Sequence, residues 1–316
     1  MGSFNSIAID IKNYVHISYY DKTNGYLKYT TNTSGSWIVE NVDSAGGVGE
    51  YNSIAVANNK IHISYYDRTN GDLKYATKLI GEPANNWVKT MVDGSTTDVG
   101  QYTSIAVDSS GYVHISYYDI TNGSLKYASN NNPVGASAWK IQTITGAAGV
   151  GTSIAVNNDG VHIAYRNSNG GGHIEYVEKN WSQPSWTFFG DISVSGCSEP
   201  HIALDNSGKI YVCYRNGSNL VYITNANGSA TPIYIDTNVS SGSLFLRNNY
   251  IYASYSYISG IGPRCATNRS GTFVIFSFFG ETGNIKATSI AVDSSGKIHI
   301  SYYDSTNGDL KYLVEN

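Results

Sequence analysis

One 24-residue block recurs through this chain and constrains its fold more than any other feature. Residues 289–312 read SIAVDSSGKIHISYYDSTNGDLKY; residues 104–127 repeat them almost verbatim, residues 6–29 differ by substitutions, and residues 53–75 differ by substitutions and are one residue shorter. Looser copies begin at Ser153, His201 and Ser243. Repeats therefore start near 6, 53, 104, 153, 201, 243 and 289, at spacings of 42 to 51 residues. A period of that length marks one supersecondary unit stacked into an array.

Each unit reads as four short strands. SIAVD is the first, the alternating HISYYD the second and LKY the third. Trp37, Trp87, Trp139 and Trp186 mark the fourth, with Ile233 and Phe273 in the same place later. The D-x-T-N-G segment makes the turn between strands two and three, because Asn-Gly takes positive φ at low cost. Asp21, Asp67, Asp119 and Asp304 are placed to cap those turns. Nowhere does helical apolar periodicity run for ten residues, so the chain reads as all-β. A four-stranded sheet cannot bury both apolar faces alone, and radial stacking lets each sheet cover its neighbour. The first and last units are among the most alike, as neighbours in a closed ring would be. The expected fold is a single seven-bladed β-propeller over residues 1–316, built of four-stranded antiparallel blades. The last unit ends after its third strand, so blade seven is expected to lack a fourth. Closure by a strand exchanged between the termini is then not expected.

The repeats resemble those of NHL-type propellers and, more distantly, Asp-box (sialidase-like) and propeller-lectin repeats. The Asp-box match is imperfect: this chain has D-x-x-G, as in Asp108 to Gly111, where the box has D-x-G, and no Trp follows at the expected place. The resemblance implies a first strand lining a central channel. It also implies a ligand-binding face formed by the strand 2–3 turns and the inter-blade loops. Propellers host hydrolases, lyases, lectins and scaffolds alike, so the fold alone does not choose among them.

Composition narrows the partners. Charged residues are 14% of the chain, Tyr alone contributes 27, and the formal net charge is −4. With no basic stripe to neutralise phosphates, nucleic acid is not an expected partner. No apolar run is long enough for membrane insertion, and no signal peptide is evident. Met1, Gly2 and Ser3 read as an expression remnant. Low charge with abundant Tyr, Asn and Ser fits an extracellular or surface setting. Cys197, Cys213 and Cys265 show no metal-ligand spacing and read as free thiols.

Three groups of residues could carry chemistry. His16, His62, His114, His162 and His299 fill one slot of the second strand, too far apart on a ring to share a metal; blade-to-blade hydrogen bonding is their expected role. Neither a metal nor a cofactor is expected. The second group lies in units four to six, which have diverged and hold five of the six arginines. There Arg166 and Arg215 replace the second Tyr of HISYYD, Asn167 and Asn216 replace its Asp, and Glu199 lies in the loop leading into unit five. Paired guanidinium groups suit a carboxylate or sulfate. The competing account is simple Arg–Glu pairing at the surface. Third, Tyr51 and Tyr102 follow Glu50 and Gln101 in inter-blade loops, a combination suited to stacking and hydrogen bonding a sugar, or to simple packing.

Together these features favour a non-catalytic binding propeller that recognises carbohydrate. A protein-interaction scaffold and a sialidase-like hydrolase or polysaccharide lyase are the alternatives. With only eight Glu in the chain, no carboxylate pair can be set at a catalytic separation from sequence.

Overall fold

The computed structural model describes residues 2–94, 96–130, 139–146, 149–168, 171–224, 231–258, 262–278 and 283–315. Among them are seven antiparallel sheets, six of four strands and one of three. The chain is an all-β, seven-bladed propeller. Blade 1 comprises Ser3–Ile9, Val15–Asp21, Tyr26–Thr31 and Ile38–Asp43. The inner strands of blades 2 to 7 are Val48–Ala57, Val99–Val107, Val150–Val156, Cys197–Leu204, Val239–Arg247 and Ile285–Val292. Blade 7 adds only Ile298–Asp304 and Asp309–Val314, as the sequence leads one to expect. Successive inner strands pack side by side, and Ser3–Ile9 returns to Ile285–Val292, closing the ring.

The repeated motif explains the joints between blades. The Ser of SIAV accepts a hydrogen bond from the Ile amide of the following blade: Ile54 to Ser6 at 3.2 Å, Ile105 to Ser53 at 3.3 Å, and Ile154 to Ser104 at 3.2 Å. Ile7 donates to Ser289 at 3.2 Å, so the 7–1 joint uses the same bond. The Ser of HISYYD reaches the next blade as well; Ser18 bonds Asn52 and Ser301 bonds Asn5, both at 2.6 Å. Buried Leu, Ile and Tyr fill the space between sheets. One such layer joins Leu27, Tyr29 and Val42 of blade 1 to Ile54, Ile63 and Tyr65 of blade 2. Interdigitated aliphatic and aromatic burial of this kind is the main stabilising term in a ring of small sheets.

The histidines behave differently from the sequence expectation. His16, His62, His114, His162 and His299 each bond through Nδ1 to a Tyr hydroxyl of the third strand in the same blade, at 2.6–2.7 Å. The bond is intra-blade because His and Tyr stand on one face of adjacent antiparallel strands. The tyrosine then makes the contact across the joint. Tyr29, Tyr75 and Tyr127 meet Trp87, Trp139 and Trp186 of the next blade edge-on at 5.1–5.3 Å, and Tyr312 meets Trp37 at 5.0 Å.

Gly2 follows the geometry of the repeat. It takes φ +102, beside +111, +109 and +122 at Gly49, Gly100 and Gly149. All four lie flat against a leucine of the preceding blade's third strand, namely Leu310, Leu27, Leu73 and Leu125. Gly2 thus occupies the same place in its blade as the other three glycines. Asp21, Asp67, Asp119 and Asp304 do cap their turns, each accepting from an Asn side chain three residues on. Cys197, Cys213 and Cys265 are buried free thiols. No helix among the described residues is long and apolar enough to cross a membrane.

Candidate functional site at the channel mouth

The strand 2–3 turns and inter-blade loops emerge at one end of the channel, and one repeated irregularity shapes that end. In all seven blades the inner strand slips register against the second strand just before the SIAV core. The residue two before that core sits at the slip. In blade order these residues are Phe4, Tyr51, Tyr102, Gly151, Glu199, Ser241 and Ala287. All but Ser241 have φ between +51 and +71. A left-handed residue in a bulge turns its side chain out of the ladder, here toward the mouth. For a side chain other than glycine that conformation costs about 1–2 kcal/mol. Its recurrence at aromatic residues, where glycine would be cheaper, is backbone strain of the kind that gathers at binding sites.

Each mouth residue is paired with the second position of the YY step in its own blade. Phe4 leans on Tyr20, Tyr51 on Tyr66 and Tyr102 on Tyr118, at centroid distances of 6.2–6.4 Å. Neighbouring blades meet more closely: Phe4–Tyr51 and Tyr51–Tyr102 are both 4.6 Å apart, tilted by 48° and 50°. The result is a continuous, half-buried aromatic arc across blades 1 to 3. Burial, with the Tyr102 hydroxyl beside it, pushes the Tyr51 phenol well above its ordinary range, so it stays a neutral donor and acceptor.

In the diverged arc both members of the pair change together. Blade 4 has Gly151 with Arg166, blade 5 has Glu199 with Arg215, and blade 6 has Ser241 with Ser256, whose hydroxyls are 2.9 Å apart. Arg215 reaches Glu199 at 3.5 Å and donates to the Gly217 carbonyl at 2.9 Å. Arg166 donates through Nε to the Cys197 carbonyl at 2.9 Å. The two guanidinium groups therefore hold the two ends of residues 197–199. Burial pushes the Glu199 carboxyl above its ordinary value, and Arg215 partly offsets this. Asn167 donates to Glu175 at 2.6 Å, and Asn216 ends its strand opposite Asn219.

Of the residues singled out from sequence, Tyr51, Tyr102 and Glu199 occupy equivalent mouth positions. Arg166 and Arg215 stand one layer behind them, and Asn167 and Asn216 lie at the adjoining turn. Phe4 escapes the sequence reading, although counting back two from Ser6, Ser53 and Ser104 finds all three aromatics. Trp181 escapes it too. It is 43% exposed and lies against His114, tilted by 43° at 5.3 Å, in a cleft of about 470 Å³ between blades 3 and 4. No group of three His, Cys, Asp or Glu suited to a metal occurs among the described residues.

No family model matches the chain, and no curated protein matches it in sequence. Solved structures do match its fold. A triple arginine-to-alanine variant of AofleA from Arthrobotrys oligospora is 14% identical, with a TM-score of 0.61 over 87% of this chain and 86% of that one. An α-L-arabinanase from Penicillium chrysogenum, complexed with arabinobiose, is also 14% identical, with a TM-score of 0.61 over 85% and 93%. A polysaccharide lyase, Uly1, is 13% identical, with a TM-score of 0.60 over 98% and 88%. At these identities the likeness is one of fold, and it leaves the NHL-type and Asp-box resemblance as a resemblance.

Proposed function

We propose that this propeller is a non-catalytic carbohydrate-recognition module whose ligand sits at the channel mouth. The observation carrying this reading is the Phe4–Tyr51–Tyr102 arc, which faces a polar half built from Glu199 and Arg215. Aromatic faces take up the C–H faces of a sugar ring, while a carboxylate and a guanidinium accept from and donate to its hydroxyls. Arg166, Asn167 and Asn216 support that polar half from behind. Similar folds that carry arabinobiose or act as polysaccharide lyases favour a carbohydrate over other small ligands. A surface or extracellular setting goes with such a ligand. Glu199 pairs with Arg215, whereas the uncharged Cys197 carbonyl leaves the positive charge of Arg166 in place, which suits an acidic substituent on the sugar.

A glycan array followed by calorimetry on the best ligand tests this. Tyr51→Ala and Tyr102→Ala should each weaken binding about tenfold or more, the loss of roughly 1.4 kcal/mol of stacking. Glu199→Gln should weaken it less. Absence of any glycan ligand at millimolar concentration, or binding indifferent to both tyrosines, would overturn the reading. Turnover of a bound oligosaccharide would replace it with the hydrolase or lyase alternative. A protein partner recovered without any glycan would favour the scaffold.

A further inference from the structure

Blades 2 and 4 each carry a lysine at the same place on the third strand: Lys78 opposite Ile61, and Lys179 opposite Val161. Each lysine reaches toward the outer strand of the blade before it. That strand presents Glu40 to Lys78 and Gln142 to Lys179, at positions opposite Tyr29 and Tyr127. Between blades 1 and 2 the joint is closed. Glu40 accepts from Lys78 at 2.6 and 2.8 Å and from the Trp87 indole N–H at 2.8 Å, and the Glu82 carbonyl accepts from Lys78 at 3.0 Å. Ile80, whose amide donates to the Asn59 carbonyl at 3.0 Å, packs against the same core layer. Lys78 is 4% exposed, fully neutralised inside the joint.

Between blades 3 and 4 the same scaffold lies open as the cleft that holds Trp181. Gln142 supplies one neutral oxygen, shared between the Trp186 indole N–H at 3.2 Å and Lys179 at 3.4 Å. The half-buried Lys179 ammonium also lies over the Trp186 ring, 5.9 Å from its centroid, and pairs with no carboxylate among the described residues. Trp181 stands where blade 2 has Ile80, with its amide donating to the Asp159 carbonyl at 2.9 Å. Its indole N–H already donates to the Asn157 carbonyl at 3.2 Å, so it offers the cleft its ring face. Lys140 adds a second cation, exposed and without an ion-pair partner among the described residues. Among the described residues Asp108 is the one carboxylate lining the cleft, and it is engaged by its own turn. It accepts from the Ser110 and Tyr112 amides at 2.9 Å and meets His114 Nε2 at 3.1 Å. The cleft therefore lacks one negative charge, at the place where the joint between blades 1 and 2 has Glu40.

We propose that this cleft binds a carboxylate carried on a sugar ring, a hexuronic acid unit of an oligosaccharide. The ligand's carboxylate takes the place of the missing Glu, beside Lys179 and Lys140. The C–H face of the ring lies on Trp181, and the side-chain amides of Gln142 and Gln183 serve its hydroxyls. A half-buried ammonium without a counter-ion is costly, and an acidic sugar supplies the counter-ion that a neutral one does not. An aromatic acid would satisfy the lysines but leave the amides unmatched. The cleft shares no residue with the channel mouth, so it stands whether or not the mouth binds sugar.

The probes are methyl β-D-glucuronide, methyl β-D-glucoside and benzoate, each titrated into the full chain and followed by saturation-transfer NMR. The glucuronide should saturate in the millimolar range, with the glucoside and benzoate each about tenfold weaker. Lys179→Met and Trp181→Ala should each weaken glucuronide binding about tenfold. Gln142→Glu should abolish it, because the new carboxylate pairs with Lys179 and closes the joint as Glu40 does, and the melting temperature should hold or rise. That variant copies a joint the ring already contains, so loss of binding with the melting temperature kept is not loss of fold. Tyr51→Ala should leave the Gln142→Glu-sensitive binding in place. The proposal is overturned if the glucuronide fails to saturate, if the glucoside or benzoate binds as well, or if binding survives both Gln142→Glu and Trp181→Ala. Binding lost on Tyr51→Ala and untouched by Gln142→Glu would assign the ligand to the channel mouth and overturn the cleft.

Discussion

His62 is enclosed by its own blade, with Nδ1 2.7 Å from the Tyr75 hydroxyl. Burial, and secondarily the charge of Lys60, lowers its pKa from 6.5 to about 4. Burial lowers His16, His114, His162, His201 and His299 in the same direction. Between pH 6.5 and about 4 the unfolded chain takes up a proton at His62 that the folded chain refuses. Stability is therefore full above pH 6.5, falls as the pH drops toward 4, and stops falling on this account below it. His62→Gln should flatten the pH dependence of the unfolding free energy across that window by up to about 1.4 kcal/mol per pH unit. Urea titrations at pH 7, 6, 5 and 4 would show this, and an unchanged slope would count against a neutral buried imidazole. The recurrence of these histidines is plain in the sequence, but the identity of their partner is not. Periodicity places His and Tyr on strands two and three without saying which pair shares a face, and the answer proves to be the same blade.

At the scale of the strand and its turn, glycine geometry decides what is tolerated. Gly49 sits at φ +111, where a Cβ would come within 2.8 Å of the Leu27 Cα, whereas Gly46, at φ +88, has open space around it. Both substitutions to Ala incur left-handed strain of about 1–2 kcal/mol. Only Gly49→Ala also pushes two blades apart, and overpacking of that kind adds about 1–3 kcal/mol. Thermal denaturation should show a distinctly larger loss for Gly49→Ala than for Gly46→Ala. Strand order and turn positions were legible because SIAV, HISYYD and T-N-G recur at fixed offsets. The register slips before each SIAV core were not. An extra residue in a bulge leaves no compositional trace, so counting back two from each core aligns Phe4, Tyr51, Tyr102 and Glu199 without showing that all of them sit at a slip. Blade 4 shows a subtler case. Blade 3's outer strand ends in Thr145 and Gly146 without an Asp, and Glu175 stands where blades 1, 2, 3 and 7 have Lys. Tyr165 therefore bonds Glu175 of its own blade, so the carboxylate partner has moved from the neighbouring sheet into the same one.

On the whole ring, the blade joints are alike near the channel and differ at the rim. Six outer strands cover their neighbours; at blade 7 the third strand is the edge. Amide exchange measured by mass spectrometry should be faster across Asp309–Val314 than across its counterparts Tyr26–Thr31 and Asp72–Leu79, which are paired on both sides. Equal protection would mean that the edge is covered in solution. Seven units were legible because sequence distance maps directly onto ring position. The division of the mouth into an aromatic and a polar half was only half legible, since Tyr51 and Tyr102 stand out by type but Gly151 and Ala287 do not. The channel itself has a further consequence. Ile7, Ile54, Ile105, Ile154 and Ile290, each 3–7% exposed, line a cavity of about 660 Å³ there. Asp10, Asn13, Arg247 and Ser294 line the same cavity, so a solute within it meets polar as well as apolar groups. The ring thus offers two ends of different chemistry, tyrosines at one and Asp10 with Arg247 at the other, so ligands of different kinds could be held at the two ends of one channel.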